Sequence, residues 1–386
     1  MGRTKSTTKV AKSKKSKRNN ITKIAKSIER RGSKKRVIVE DDRSLLLLPT
    51  PSTLFNCACS DDPFGAFDAG HMINLIGDSS SGKTMFALGT GAEIFYSPKL
   101  REYDYKIVLD DVENANTFNM PYLFGREFAE AIEAPSYEVV DGDTIPVPSR
   151  TIEDFHFNIC DHLEGDRPIV YILDSFDALD AEQDIEKLES MREARRKGQK
   201  AKGTYAMAKP KKASELLRHI CGRLKETNSL LIIISQTRDN IDAFSFEKRT
   251  RSGGRALKFY AHHEIWLAMA GKIKSKGHVI GNSVLAKITK NKITGKQRDI
   301  LFPIFYDYGV DDIRSMIDWM TKEKFWKQTK QTINAKDMKM KATAAKLIKT
   351  IESCGYERKV QRLVGKKWIE LENSLRLDRK PRYRRV

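Results

Sequence analysis

The residues of this chain best placed to do chemistry begin with Gly77-Asp78-Ser79-Ser80-Ser81-Gly82-Lys83-Thr84, which fits G-x-x-x-x-G-K-[ST] without a mismatch. Glycines at the fixed positions let backbone N–H groups close around phosphate oxygens, and a helix beginning there adds partial positive charge. In this pattern Lys83 contacts the β- and γ-phosphates of a nucleoside triphosphate, and the Thr84 hydroxyl ligates Mg²⁺. ATP and Mg²⁺ are the cofactors this chemistry calls for. Carboxylates come next. Arg167-Pro-Ile-Val-Tyr-Ile-Leu-Asp174 is an apolar run ending in an acid, suited to holding Mg²⁺ through water or Thr84. Asp110, Asp111 and Glu113 end a second apolar run, where an acid can aim at the γ-phosphate or its attacking water. Gln236 ends a third, Ser229-Leu-Leu-Ile-Ile-Ile-Ser235, as a polar group suited to sensing a γ-phosphate. Taken singly, each of these is an ordinary strand end.

The elements that must position them follow from periodicity. His71–Ile76 is short, apolar and bounded by Gly70 and Gly77, so it is expected to be a buried strand, and Met85–Phe95 has apolar residues at helical spacing. Strand, glycine loop, helix is the context a phosphate loop requires. Further strands are expected at 105–110, 167–174 and 229–236, with helices at 186–196 and 213–226. The fold class expected is α/β, a mostly parallel twisted sheet with helices on both faces and nucleotide at the carboxyl ends of the strands.

Composition narrows the partners. The chain has 386 residues, 32% of them charged, with a net charge of +20, which points to a polyanion, nucleic acid before a membrane surface. No apolar run approaches the ~18 residues of a membrane span. Met1–Ser6 fits a myristoylation pattern, but no second membrane signal accompanies it beyond basic charge. Five cysteines make no metal spacing, and their odd number without a signal peptide is expected of reduced thiols in a cytoplasm.

Residues 1–42 form a basic arm. Its first forty residues carry fifteen Lys/Arg against two Glu, a composition that cannot bury enough apolar surface to order itself. It either lies along phosphates or merely solubilises the chain. Between Lys187 and Lys212 there are ten Lys/Arg against two Glu, including Arg195, Arg196, Lys197, Lys200 and Lys202. This stretch sits on the ligand side of the sheet, where phosphate-backbone contact is favoured over a merely solvated loop. A second loop, Thr237–Ser252, sets Phe244 and Phe246 among Arg238, Lys248, Arg249 and Arg251. Aromatics among cations can stack on or wedge between bases while the cations neutralise phosphates; two Phe can equally pin a loop to the core.

The tract Ser235-Gln236, loop, Gly253-Gly254-Arg255-Ala-Leu-Lys-Phe-Tyr-Ala261 closely resembles that around the second DNA-binding loop of the RecA recombinases. Ile288-Thr-Lys290-Asn291-Lys292-Ile293 resembles the family's K-N-K segment, and Phe302–Val310 the strand and turn after it. The resemblance spans about residues 45–325. It implies a P-loop ATPase core, residues 43–325, that polymerises on single-stranded DNA with ATP and pairs it with a homologous duplex. Residue by residue, it implies that Gly77–Thr84 bind the triphosphate and Mg²⁺ and that Asp174 is the Walker-B acid. Glu113 matches the catalytic glutamate, with Asp111 as the rival. Gln236 matches the residue linking the γ-phosphate to the second DNA loop. Lys290 and Lys292 match lysines that reach the neighbouring subunit's ATP. The first DNA loop falls at 183–212 and the second at 241–252. Tyr122 or Phe118 stands where the adenine-stacking aromatic is sought.

The first-loop region is longer and more basic than in bacterial RecA, and the tail is basic where bacterial RecA ends acidic; both resemble a divergent, phage-type member acting in a bacterial or phage-infected cytoplasm. Partners implied are single- and double-stranded DNA, further copies of the chain in a helical filament, and single-strand-binding or mediator proteins. Residues 326–386 are expected to be a small, basic, helical lobe, with helices at 335–354 and 357–371, that either captures duplex DNA or caps the sheet edge. Two rival classes remain: a ring-forming helicase-type motor of the same fold, and a paralogue that regulates recombination without turning over ATP.

Overall fold

The computed structural model describes residues 45–197, 208–239, 249–251, 254–379 and 383, with only the backbone of 208, 210, 211, 238, 239, 249–251 and 254. The expected basic arm at 1–42 lies outside the described residues, as do Lys200, Lys202, Phe244, Phe246, Lys248 and Gly253. The chain opens with β1 (Leu47–Leu48), α1 (Thr53–Ser60), β2 (Phe67–Asp68), β3 (His71–Gly77) and α2 (Lys83–Phe95). Then come β4 (Lys106–Asp111), α3 (Met120–Phe124), α4 (Arg126–Ala131), β5 (Ile132–Glu133) and a hairpin of β6 (Ser136–Val140) and β7 (Asp143–Val147). The middle holds α5 (Ile152–Leu163), β8 (Ile169–Asp174), α6 (Glu182–Arg196), α7 (Ala208–Thr227), β9 (Leu230–Asp239), β10 (Arg249–Arg251) and α8 (Gly254–Tyr260). Next are β11 (His263–Ser275), β12 (His278–Asn291), β13 (Arg298–Phe305), β14 (Gly309–Val310) and α9 (Asp312–Lys322). The last elements are β15 (Lys327–Thr329), β16 (Thr332–Ala335), β17 (Met340–Thr343), α10 (Ala344–Ser353) and α11 (Glu357–Leu375).

The central sheet runs β14-β13-β12-β11-β3-β9-β8-β4-β5, with β10 folded back on β9. Pairing from β11 through β5 is parallel, and β12, β13 and β14 continue it antiparallel. Buried parallel strands are apolar on both faces, and these alternate cleanly between two cores. Ile73, Leu75, Val170, Ile172, Leu230, Ile232 and Ile234 face the core that holds α1 and α2. Met72, Ile169, Tyr171, Leu173, Leu231 and Ile233 face the other, under α5, α7 and α8. The mostly parallel α/β architecture with helices on both faces is therefore that of a RecA-like core.

Several boundaries differ from the sequence expectations. Helix α7 begins at Ala208 rather than Ala213, and β9 runs on to Asp239 because β10 pairs with it, Arg249 opposite Asp239 and Arg251 opposite Thr237. The second loop thus springs from a two-stranded stem. The expected helix at 335–354 begins only at Ala344; Thr332–Ala335 and Met340–Thr343 pair as strands instead. That segment alternates, with Ile333 and Ala335 buried, so period two prevails over the helix-forming lysines and methionines. The C-terminal lobe accordingly carries a three-stranded sheet beside its two helices.

One ion-pair cluster ties α11 to α1. Arg298 Nη2 lies 2.6 Å from Asp61 Oδ1 and 2.7 Å from Glu372 Oε1, and Nη1 donates to the Cys57 and Ala58 carbonyls. Its guanidinium stands over the Trp368 ring, whose N–H donates to Asp61. Burial pushes the Asp61 carboxyl up, but the Trp368 N–H, Arg298 and Lys296 together hold it below its ordinary range. A carboxyl depressed in the folded state contributes stability that is complete above its unfolded pKa and is lost as pH falls through the folded one. Arg298→Met removes one of the two cations, the other being Lys296, that the Asp61 and Glu372 carboxylates share. Urea unfolding is expected to show a loss of about 3 kcal/mol at neutral pH, with a weaker acid-side fall in stability than the parent's. A loss within about 0.5 kcal/mol would mean the cluster behaves as an ordinary surface pair.

Candidate active site

Parallel register brings the chemistry together. Gly77 at the end of β3 pairs with Gln236 on β9, and Asp111 at the end of β4 pairs with Asp174 at the end of β8. The loop that follows β3 needs backbone only glycine provides. Gly82 has φ +87°, and a Cβ there would lie 2.6 Å from Ile304 Cδ1; a Cβ on Gly77 would lie 2.3 Å from the Leu267 carbonyl oxygen. Lys83 is buried at the start of α2, its ammonium donating to the carbonyls of Gly77 at 2.9 Å and Asp78 at 2.7 Å. Burial pulls its pKa down, while Asp174, Glu113, Asp78 and Asp177 pull it up. The Ser81 hydroxyl is buried in the same loop without a hydrogen-bond partner.

Thr84 Oγ1 donates to Asp174 Oδ2 at 2.6 Å. Burial raises the Asp174 carboxyl above its ordinary range, and the Thr84 bond opposes the shift. Glu113 Oε1 accepts from Gln236 Nε2 at 2.8 Å and from the Ser175 hydroxyl. The three acids of the cluster divide by their partners. Asp110 is fully buried and holds Ser149 and the Tyr171 hydroxyl, and Asp111 caps the Ala115 and Asn116 N–H groups. Glu113 alone of the three reaches across to β9.

β9 runs from this site into the stem of the second loop. The Gln236 N–H donates to Asp177 Oδ2 at 2.5 Å, and the next residue's hydroxyl, on Thr237, donates to Asp78 of the phosphate loop. From there the strand continues to Asp239 and the stem of the loop. Neither Asp78–Thr237 nor Gln236–Asp177 was singled out by the sequence, because polar residues at strand ends are common and their pairing depends on register.

A cleft of about 150 Å³ is lined by Lys83, Thr84, Glu113, Asp174, Gln236 and Phe118 among others. Phe118 thus borders the site, whereas Tyr122, 68% exposed on α3, does not line it. A larger cavity, about 580 Å³, lies between β13, α9 and α11; of its four carboxylates, Asp318 and Glu372 are held by Arg314 and Arg298. The residues at the small cleft fit Mg²⁺ and a triphosphate: an unpartnered hydroxyl on Ser81, glycines where side chains would clash, a buried ammonium, and a hydroxyl–carboxylate pair.

Lys290 and Lys292 stand elsewhere. Asn291 pairs with His263, which pairs with Ile73, whereas Gly77 pairs with Leu267. Four residues of strand separate the two levels, about 13 Å, so these lysines lie toward the amino end of β3 and away from their own chain's phosphate loop. Lys290 donates to the carbonyls of Lys258 and Phe259 at the end of α8, and Lys292 is exposed. Of the expected DNA contacts, Arg195, Arg196 and Lys197 lie exposed at the end of α6, a helix that buries none of its side chains. Arg255 is exposed on α8, and so is Phe259 at 73%, an aromatic the loop-centred sequence reading passed over. Only the backbone of Arg238, Arg249, Arg251 and Gly254 is described, in the stem and at the start of α8.

A family model, the RecA N-terminal domain, matches residues 155–311. The span is less than half the chain. It takes in Asp174, Gln236, Lys290 and Lys292 and leaves Gly77–Thr84 and Glu113 to stand on their own geometry. The match supports a RecA-family protein and, in general, P-loop ATPase chemistry with nucleotide and DNA binding. Among the described residues no helix is long and apolar enough to cross a membrane.

Gly82→Ala would carry a side chain in a left-handed conformation and against Ile304. Its affinity for a fluorescent ATP analogue is expected to fall at least about tenfold, a strain of roughly 1–3 kcal/mol, with the circular-dichroism spectrum unchanged. Unaltered affinity would mean the loop does not close on phosphate in this form.

Proposed function

We propose that this chain is an ATP-dependent DNA recombinase: it assembles as a filament on single-stranded DNA, pairs that strand with a homologous duplex, and hydrolyses ATP in response to DNA. The observation that carries the reading is that β9 bears both Gln236, hydrogen-bonded to Glu113, and the stem of the second loop. A change at the γ-phosphate position therefore reaches the DNA loop through one continuous strand.

In the proposed mechanism Lys83 and the 77–82 backbone bind the triphosphate, and Thr84 with Asp174 would hold Mg²⁺. The metal supplies charge neutralisation of the phosphates when bound. Glu113 acts as the base for the attacking water, its free lone pairs directed by the bonds from Gln236 and Ser175. Gln236 chooses between Glu113 and the nucleotide, which is how occupancy of the site is passed to the loop. Lys290 and Lys292, remote from their own chain's site, serve the neighbouring subunit's nucleotide, so hydrolysis waits for assembly. Exposed Arg195, Arg196, Lys197 and Arg255, with the residues of the two loops, form the DNA contacts. We place the protein on DNA in a bacterial or phage-infected cytoplasm, with single-strand-binding or mediator proteins as further partners.

The test is ATP hydrolysis with and without single-stranded DNA. Stimulation by DNA is expected, falling steeply with salt, and Lys292→Ala should abolish it while leaving ATP binding intact. Glu113→Gln should lower turnover by about 10²–10⁴-fold at unchanged nucleotide affinity. Closed rings that translocate would favour the motor reading, and no turnover under any DNA or salt condition would favour a regulatory paralogue.

A further inference from the structure

Away from the nucleotide, helices α5 and α7 pack side by side on the second core and bring three metal-binding side chains together. His156 and Cys160 are four residues apart on α5, so they share one helix face, and His219 on α7 stands opposite them. His156 Nε2 lies 2.9 Å from His219 Nδ1, Cys160 Sγ lies 3.6 Å from His156 Nε2, and Cys160 Sγ lies 3.9 Å from His219 Nδ1. We infer that His156, Cys160 and His219 form a binding site for a zinc-class divalent cation that staples α7 to α5.

The geometry suits that class of ion. Tetrahedral zinc, with ordinary bond lengths to nitrogen and sulfur, holds two imidazole nitrogens ~3.4 Å apart and a nitrogen and a sulfur ~3.6 Å apart. The three observed separations come within about half an ångström of these, so a small opening of the imidazole pair seats the ion. Two imidazoles and a thiolate are a borderline-soft set that takes Zn²⁺ or Co²⁺ in preference to Mg²⁺ or Ca²⁺. His156 Nδ1 has no hydrogen-bond partner, so nothing on that side commits the ring to protonation at Nε2. His219 is exposed, which leaves a path for the ion and room for water as a fourth ligand. Binding replaces the thiol proton of Cys160, which is released, and breaks the hydrogen bond between the two imidazoles, whose rings stay neutral. Because binding displaces that proton, affinity rises with pH. Helix α7 is the element on which the first basic loop ends, so the staple fixes that loop's carboxyl-side anchor against the sheet.

The probe is Co²⁺, then Zn²⁺, titrated into the reduced full chain carrying no added histidine tag. One equivalent of Co²⁺ should give tetrahedral d–d bands and a thiolate-to-metal charge-transfer band, both displaced by one equivalent of Zn²⁺. Cys160→Ser should abolish the charge-transfer band, and His219→Ala, at an exposed position, should weaken binding at least about tenfold without disturbing the fold. Cys354→Ser, at a cysteine that is exposed and remote from the cluster in sequence, should change nothing. His71→Ala removes a second cluster, Asp68, His71 and His262, which has no sulfur and should not affect the band. Zn²⁺ should raise the melting temperature of the parent and not of His219→Ala. A titration without the charge-transfer band, or one equally tight in His219→Ala, overturns the site.

Discussion

The constraint on which everything else rests is the parallel register of β3, β9, β8 and β4. With these four strands in line, the phosphate loop, Gln236, Asp174 and Glu113 arrive at one edge of the sheet, contributed by segments as distant as residues 77 and 236. A slip of one residue would turn each buried row of side chains to the opposite core. The site is therefore secured by packing: Ile73, Leu75, Ile172 and Ile232 on one face, Met72, Tyr171 and Ile233 on the other. Several polar groups of this edge satisfy one another, Thr84 with Asp174 and Gln236 with Glu113, so their own hydrogen bonds hold them in place.

In the proposed function, that arrangement would let nucleotide and DNA act on each other without a long relay. Gln236 and Thr237 are neighbours on one strand and face different partners, Glu113 and the phosphate-loop Asp78. From Thr237 to Asp239, β9 is half of the stem of the basic, aromatic second loop. Nucleotide and DNA would act on the same short piece of backbone, and each would bias what the other meets, as reciprocal coupling requires.

Much of this was legible in the sequence where a residue type has one physical use. The glycines and Lys83 of the phosphate loop, the apolar runs of the central strands and the acid at Asp174 all fall where their spacing placed them. What escaped depended on pairing between remote segments. The division of labour among Asp110, Asp111 and Glu113 could not be read from three adjacent acids, and it follows from Ser149 and Tyr171, from the local turn, and from Gln236 respectively. The strand at Met340–Thr343 was hidden among lysines and methionines that favour helix, because what makes it a strand is its pairing with Thr332–Ala335. Likewise the five cysteines suggested no metal site, since Cys160 meets its histidines only when α7 lies on α5.

In the proposed mechanism a second copy of the chain completes the site, because Lys292 sits four residues of strand, about 13 Å, from the level of its own phosphate loop. The most direct measurement mixes Glu113→Gln with Lys292→Ala on single-stranded DNA and follows ATP hydrolysis. Each variant alone should be nearly inactive. Together they should recover substantial turnover, since an intact Glu113 on one chain then meets an intact Lys292 on the next. A mixture no more active than its two components would contradict hydrolysis across the interface.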